Sequence, residues 1–165
     1  QNVDSMSSDS LLLAATNHEN LLDSAVWRRF DYKLEVELPD SEAIEEMIDL
    51  FATKTIELSQ KEKTELSTIF KGLSGASIEE IIKKAMRNSV IEGKEFCKKS
   101  IYDEFFIYKN ILPQNCDNEK EIMEIKAKYL RNCNEKIFSL QIIADILGSS
   151  KTTISKLVKG EINNE

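Results

Sequence analysis

The chain has 165 residues, 41% hydrophobic and 31% charged, enough to bury one sizeable core or two small ones without disulfide or metal staples. A net charge of -7 and a pI near 5.0 oppose broad attraction to nucleic acid, so any basic face must be local. Cys97, Cys116 and Cys133 are spaced too widely for a metal knuckle and are odd in number for a disulfide framework, and the apolar runs are too short for a membrane span or a signal peptide. No metal site is expected, and a reducing, cytoplasmic setting is.

Gln1 to Ser10 is polar and Ser-rich, without periodicity. Leu11 to Ala15 is a continuous apolar run, the pattern of a strand buried on both faces, with Thr16 and Asn17 at its C-terminal end, where open α/β sheets place their chemistry. Tyr32 to Leu38 alternates, Leu34, Val36 and Leu38 on one face against Lys33, Glu35 and Glu37 on the other, which predicts a half-solvated strand. Two strands cannot bury a hydrophobic face alone, so residues 1–38 are expected to be the end of a sheet whose other strands lie outside this sequence.

After Pro39 the period becomes helical. Asp40 and Glu42 precede Ile44, Met47, Ile48 and Phe51; Ser59 and Glu62 form a capping box ahead of Leu66, Ile69 and Phe70, with a stop near Gly72. A third helix starts at Ser74, buries Ile78, Ile81, Ile82, Ala85, Met86 and Val90, and ends near Gly93. Ser100 with Asp103 is expected to cap a fourth, running through Phe105, Phe106, Ile107, Tyr108 and Leu112 to Pro113. Pro113 to Asn118 reads as a linker. Beyond it Ile122, Met123, Ile125, Tyr129 and Leu130 predict another helix, and Ser139 to Lys159 two short helices turning at Gly148. Asn163 and Asn164 read as a frayed end.

The run from Leu11 to Asp31, with Thr16-Asn17 after the apolar stretch, Leu22-Asp23-Ser24-Ala25, and then Arg28-Arg29-Phe30-Asp31, closely resembles the second region of homology of AAA ATPases. That resemblance implies that Asn17 is a sensor orienting the attacking water. It also implies that Arg28 and Arg29 project into the ATP site of a neighbouring subunit. Phosphoryl transfer calls for such types, a neutral amide for the water and guanidiniums for charge developing on the γ-phosphate. The compact Arg-Arg-Phe form resembles the microtubule-severing and membrane-remodelling branches. The only histidine, His18, is read as a loop residue.

Gly72-Leu73-Ser74-Gly75-Ala76-Ser77-Ile78 resembles the start of the third lid helix of that family, which implies that Gly75 and Ala76 let the backbone approach adenine and ribose. Ser77 stands where an Asp is usual. Neither a Gly-x-x-x-x-Gly-Lys-Ser/Thr loop nor an apolar run ending in paired acidic residues occurs, so the β- and γ-phosphates have no cradle in this sequence and magnesium no carboxylate pair. The resemblance spans about residues 1–112, and the expectation is a later part of a longer ATPase. ATP and magnesium serve the parent protein and no cofactor is expected in the chain alone, which should be inactive by itself. The parent is expected to assemble as a homo-oligomeric ring, hexameric by resemblance, that remodels a protein or nucleic-acid partner.

At the other end Ala144, Gly148, Ile154 and Leu157 resemble the helix-turn-helix of bacterial and phage regulators, which exposes Lys151, Thr152, Thr153, Ser155 and Lys156 for phosphates and base edges. Between Pro113 and Glu165 eight basic residues balance eight acidic ones, a weak electrostatic basis for DNA, and a protein-docking or structural role stays open. The expected architecture is mainly α: a sheet remnant over 1–38, a four-helix lid over 39–112, and a small trihelical unit over 113–165. The rival expectation is a DNA-binding helix-turn-helix regulator whose N-terminal part is an oligomerisation scaffold.

Overall fold

The computed structural model describes residues 9–52, 55–113 and 118–160, and the chain divides into a unit ending at Glu37 and one beginning at Leu38. The polar opening up to residue 8, the linker with Cys116 and the Asn163–Asn164 end lie outside the described residues. Among these the fold is mainly α, as its sequence periodicities require, and contains no strand.

Among its described residues the first unit holds one 3-10 turn, Glu19–Leu21, and one short helix, α1, Ser24–Trp27. Neither stretch expected as a strand is one: Leu11 and Leu13 are each 83% exposed, Leu34 91% and Val36 94%. The physical reason is the one the sequence already carries. A strand becomes a strand only when its amides find a partner strand and its apolar face a covering layer, and among the described residues neither is present.

The second unit is built on amphipathic helices. In α2, Ser41–Ala52, the Asp40 carboxylate accepts from the Ala43 amide at 2.9 Å, and Ile44, Ile48 and Ala52 recur every four residues on one buried stripe. The box ahead of α3, Gln60–Phe70, forms: Ser59 Oγ accepts from the Glu62 amide at 3.4 Å and Glu62 reaches back to the Ser59 amide at 2.9 Å. In α4, Gly75–Ile91, Ser74 is the N-cap and Ile78, Ile81, Ile82 and Ala85 face inward, while Val90 lies exposed near the end.

The next helix corrects its expected boundaries. α5 spans Lys98–Tyr108, beginning before Ser100, because Ser100 acts from inside the first turn and accepts from the Cys97 amide at 3.4 Å. Phe96 and Ile101, at the two positions of a hydrophobic staple, are both buried, and Asp103 pairs with Lys126 instead of capping. α5 also stops before Pro113. Asn110 takes a left-handed φ of 49°, its amide bonds to Ile107 O at 3.0 Å, and the Ile111 amide to Phe106 O at 3.2 Å, a complete Schellman ending that leaves Leu112 outside the helix.

The remaining helices are α6, Glu119–Cys133, α7, Leu140–Leu147, and α8, Lys151–Lys159, capped by Asn118, Ser139 and Ser150. Between α7 and α8 Gly148 adopts φ 66°, and the Ala144 carbonyl accepts from the amides of Gly148 and Ser149. Ala144, Ile154 and Leu157 are buried together with Ile143 and Ile146. Arg131 closes the α6–α7 connection by donating to the carbonyls of Glu135 at 2.8 Å and Phe138 at 3.0 Å.

α5 is the joint of this unit. Phe105 lies 5.9 Å from Phe70 of α3 and 6.0 Å from Tyr129 of α6, and Phe106 sits edge-on to Tyr129 at 6.2 Å. Lys126 Nζ bonds Asp103 at 2.8 Å and stands over the Phe106 ring at 4.9 Å. Burial, with Cys133 beside it, pushes the Tyr129 hydroxyl up to about 12, so it stays a neutral phenol within this joint. Below it lie two buried carboxylates, each with a cation. Glu65 meets Lys98 at 3.1 Å, and Glu104 meets Lys84 at 2.7 Å while accepting from Asn88 at 2.9 Å.

Candidate nucleotide-facing segments

Thr16 shapes the turn that carries Asn17: its Oγ1 accepts from the His18 amide at 3.0 Å, so the chain bends at Asn17 and leaves that side chain exposed. This side-chain turn was legible only as a Thr-Asn pair, and Thr16's structural part in it is an addition to the sequence reading. His18 is an exposed loop residue.

α1 follows from Asp23, whose carboxylate accepts from the Ala25 amide at 3.0 Å. That bond holds the Asp23 carboxyl below its usual range, the Ser24 hydroxyl and then Arg29 adding to the effect. Arg28 and Arg29 come where α1 ends, both exposed, with the Arg28 amide on Ser24 O at 3.2 Å and the Arg29 amide on Val26 O at 3.1 Å. Arg29 Nη1 also donates to Ala25 O at 3.1 Å, which folds this guanidinium back along its own helix. Lys33 stands 5.3 Å over the Trp27 ring, a contact unmarked by any sequence pattern.

In the second unit Gly75 and Ala76 are the first two residues of α4, Ala76 exposed and Gly75 half-buried. Gly75 has a packing reason of its own. A Cβ there would meet Met47 Cε of α2 at 3.3 Å, closer than comfortable contact, so a larger side chain would push α2 and α4 apart. Ser77 Oγ lies 3.0 Å from Ser74 Oγ and accepts from the Tyr108 hydroxyl at 2.8 Å.

The α8 residues fall on one helix, with Lys151, Thr152, Thr153 and Lys156 exposed and Ser155 half-buried. Thr153 is already engaged in the cap, its amide on Ser150 Oγ at 3.1 Å and its hydroxyl 2.8 Å from that atom. No helix among the described residues is long and apolar enough to cross a membrane.

No protein-family profile matches the chain, and no solved structure does. Curated proteins do. A putative 26S proteasome regulatory subunit homolog of Methanocaldococcus jannaschii is 32% identical over 91 residues, 53% of this chain and 24% of that protein. Spastin of Xenopus laevis is 36% identical over 85 residues, 51% of this chain and 14% of that protein. An uncharacterized AAA family ATPase of Sinorhizobium fredii is 31% identical over 94 residues, 56% of this chain and 28% of that protein. The chain thus spans well under a third of the length of these relatives. Joined to the ordered run from Leu11 to Asp31 and the Gly75-Ala76 helix start, these similarities make the chain, over about half its length, similar to part of several AAA family ATPases.

Proposed function

We propose that this chain supplies the sensor, arginine-finger and lid segments of an ATPase that works as a ring of like subunits and uses ATP hydrolysis to remodel a protein or nucleic-acid partner. The observation that carries the reading is the placement of Arg28 and Arg29 at the exposed end of α1, a few residues beyond the bend at Asn17. In a ring such a pair reaches outward to a neighbour's triphosphate, where guanidiniums meet the charge that develops on the transferred phosphoryl group. Asn17, a neutral amide, orients water without competing for its proton. Gly75 and Ala76 present backbone, with no bulky side chain, to the adenine and ribose.

These residue types fit the γ-phosphate and the base. They do not fit magnesium or the β-phosphate, which need paired acidic residues at the end of an apolar run and a Gly-Lys-Ser/Thr loop, neither of which the sequence has. The chain alone is therefore expected to show no ATP hydrolysis, and calorimetry with ATP no binding in the micromolar range. A micromolar dissociation constant would overturn this division of labour.

A second reading assigns DNA contact to α8, favoured by the exposed Lys151, Thr152 and Lys156 opposite the buried Ile154 and Leu157. If it holds, Lys151→Glu with Lys156→Glu abolishes a retarded DNA band at low salt while circular dichroism is unchanged. A shift that survives the double charge reversal rejects this helix as the contact.

A further inference from the structure

The hydroxyl chain at the start of α4 has a purpose that the cap alone does not require. The first amides of a helix lack intrahelical partners, and here Ser74 Oγ takes the Ser77 amide at 3.2 Å. Each serine hydroxyl has a single proton to give. The Tyr108 hydroxyl donates to Ser77 Oγ at 2.8 Å, and Ser77 Oγ shares a hydrogen bond with Ser74 Oγ at 3.0 Å in which either hydroxyl can donate, so the three hydroxyls form one chain that holds Ser74 in the rotamer that caps the helix. Tyr108 is the last residue of α5, at the turn that the Schellman ending fixes. Earlier on the same helix Asp103, Phe105 and Phe106 are gripped by Lys126 and Tyr129 of α6. Met47 of α2 fills the space where a Cβ on Gly75 would lie.

We infer that Tyr108 is a positioning residue that ties the first turn of α4 to α5, so that the order of the Gly75-Ala76 backbone depends on how the C-terminal helices α6 to α8 dock. The inference rests on the reading of Gly75 and Ala76 as nucleotide-facing, and it gives that contact a control point. A partner that loosens α6 on α5 weakens the lid's grip on the base without touching the nucleotide. Through Ser77 the Ser74 cap is coupled to a residue 31 positions beyond Ser77.

Amide hydrogen exchange, followed by NMR on the full chain without nucleotide, tests this. Tyr108→Phe, which removes one oxygen atom, should speed exchange at Ser77 and Ile78, whose amides bond Ser74 Oγ and Ser74 O, about tenfold, as expected for a lost hydrogen bond, and leave Ile81 to Ser89 unchanged. Ser77→Ala, which cuts the same relay from the other side, should give the same local pattern if Tyr108→Phe folds poorly. Lys126→Ala, on α6, should speed the same two amides severalfold, and add nothing in the Tyr108→Phe background. Unchanged exchange at Ser77 and Ile78 in the relay variants overturns the inference, as does a Lys126→Ala effect that persists without the Tyr108 hydroxyl. Because no nucleotide enters the measurement, such a failure leaves the lid reading itself standing, and that reading fails separately if Gly75→Val leaves the ATP affinity of the assembled ATPase unchanged.

Discussion

Replacing Arg28 and Arg29 together with alanine is expected to lower the turnover of the assembled ATPase about 10³-fold while leaving ATP affinity nearly intact. A finger that acts on the neighbour's phosphates contributes to the transition state and little to the ground state, so the loss falls on kcat. Of the single variants Arg28→Ala should be the more damaging, because Arg29 already spends one donor on Ala25 O at 3.1 Å. Lysine at position 28 should not restore the rate, since a point charge cannot reproduce the planar fork. Mixed rings give the sharper reading. A subunit carrying the double substitution should still turn over ATP when its finger-donating neighbour is wild type, and full activity of rings made wholly of the variant would remove the arginine-finger assignment. The melting of the helical unit from Leu38 onward should be unaffected, because both arginines belong to the other unit.

Local chemistry was legible in the sequence and non-local chemistry was not. The caps at Ser59 and Ser74, the turn at Gly148 and the apolar stripes of α2, α3 and α6 each depend on residues within one or two turns, and the structure forms them, as it does the α4 stripe except for the exposed Val90. Ser100 and Asp103 show the limit of the same logic. The pair has cap spacing, but Ser100 serves the Cys97 amide behind it and Asp103 serves Lys126, 23 positions ahead. Asn110, one of the few non-glycine residue types at ease in the left-handed region, ends α5 ahead of Pro113, the stop that the sequence marks. Leu11 to Ala15 and Tyr32 to Leu38 have strand patterns without partners, and a pattern states which face would be covered and not whether anything covers it. In the candidate site, the order of Asn17, Arg28 and Arg29 could be read directly. Met47 against Gly75 and Tyr108 on Ser77 could not, because each joins helices far apart in the chain.

The linker at Pro113 suggests a lid that ends there and a separate trihelical unit, and Phe105→Ala decides whether that division is physical. Phe105 is fully buried and touches rings from both sides of the linker, Phe70 before it and Tyr129 after it. Truncating a buried phenylalanine costs about 3–5 kcal/mol through lost burial and the cavity left behind, a large part of the stability of a domain this size. If α2 to α8 fold as one cooperative body, the variant should unfold in a single transition shifted to much lower denaturant, whether read by far-ultraviolet circular dichroism or by exchange of the Ile154 and Leu157 amides in α8. If the two parts are independent, the α8 amides should keep their protection while the lid melts, and the coincidence of probes is lost. The packing favours the single transition. Without Phe105, Tyr129 loses a ring neighbour and keeps Phe106 at 6.2 Å, with the Lys126–Asp103 bridge on the same two helices, and the buried surface that separation would expose is apolar. A joint of this kind transmits strain instead of isolating it, and that is why the docking of the C-terminal helices can be felt at the start of α4.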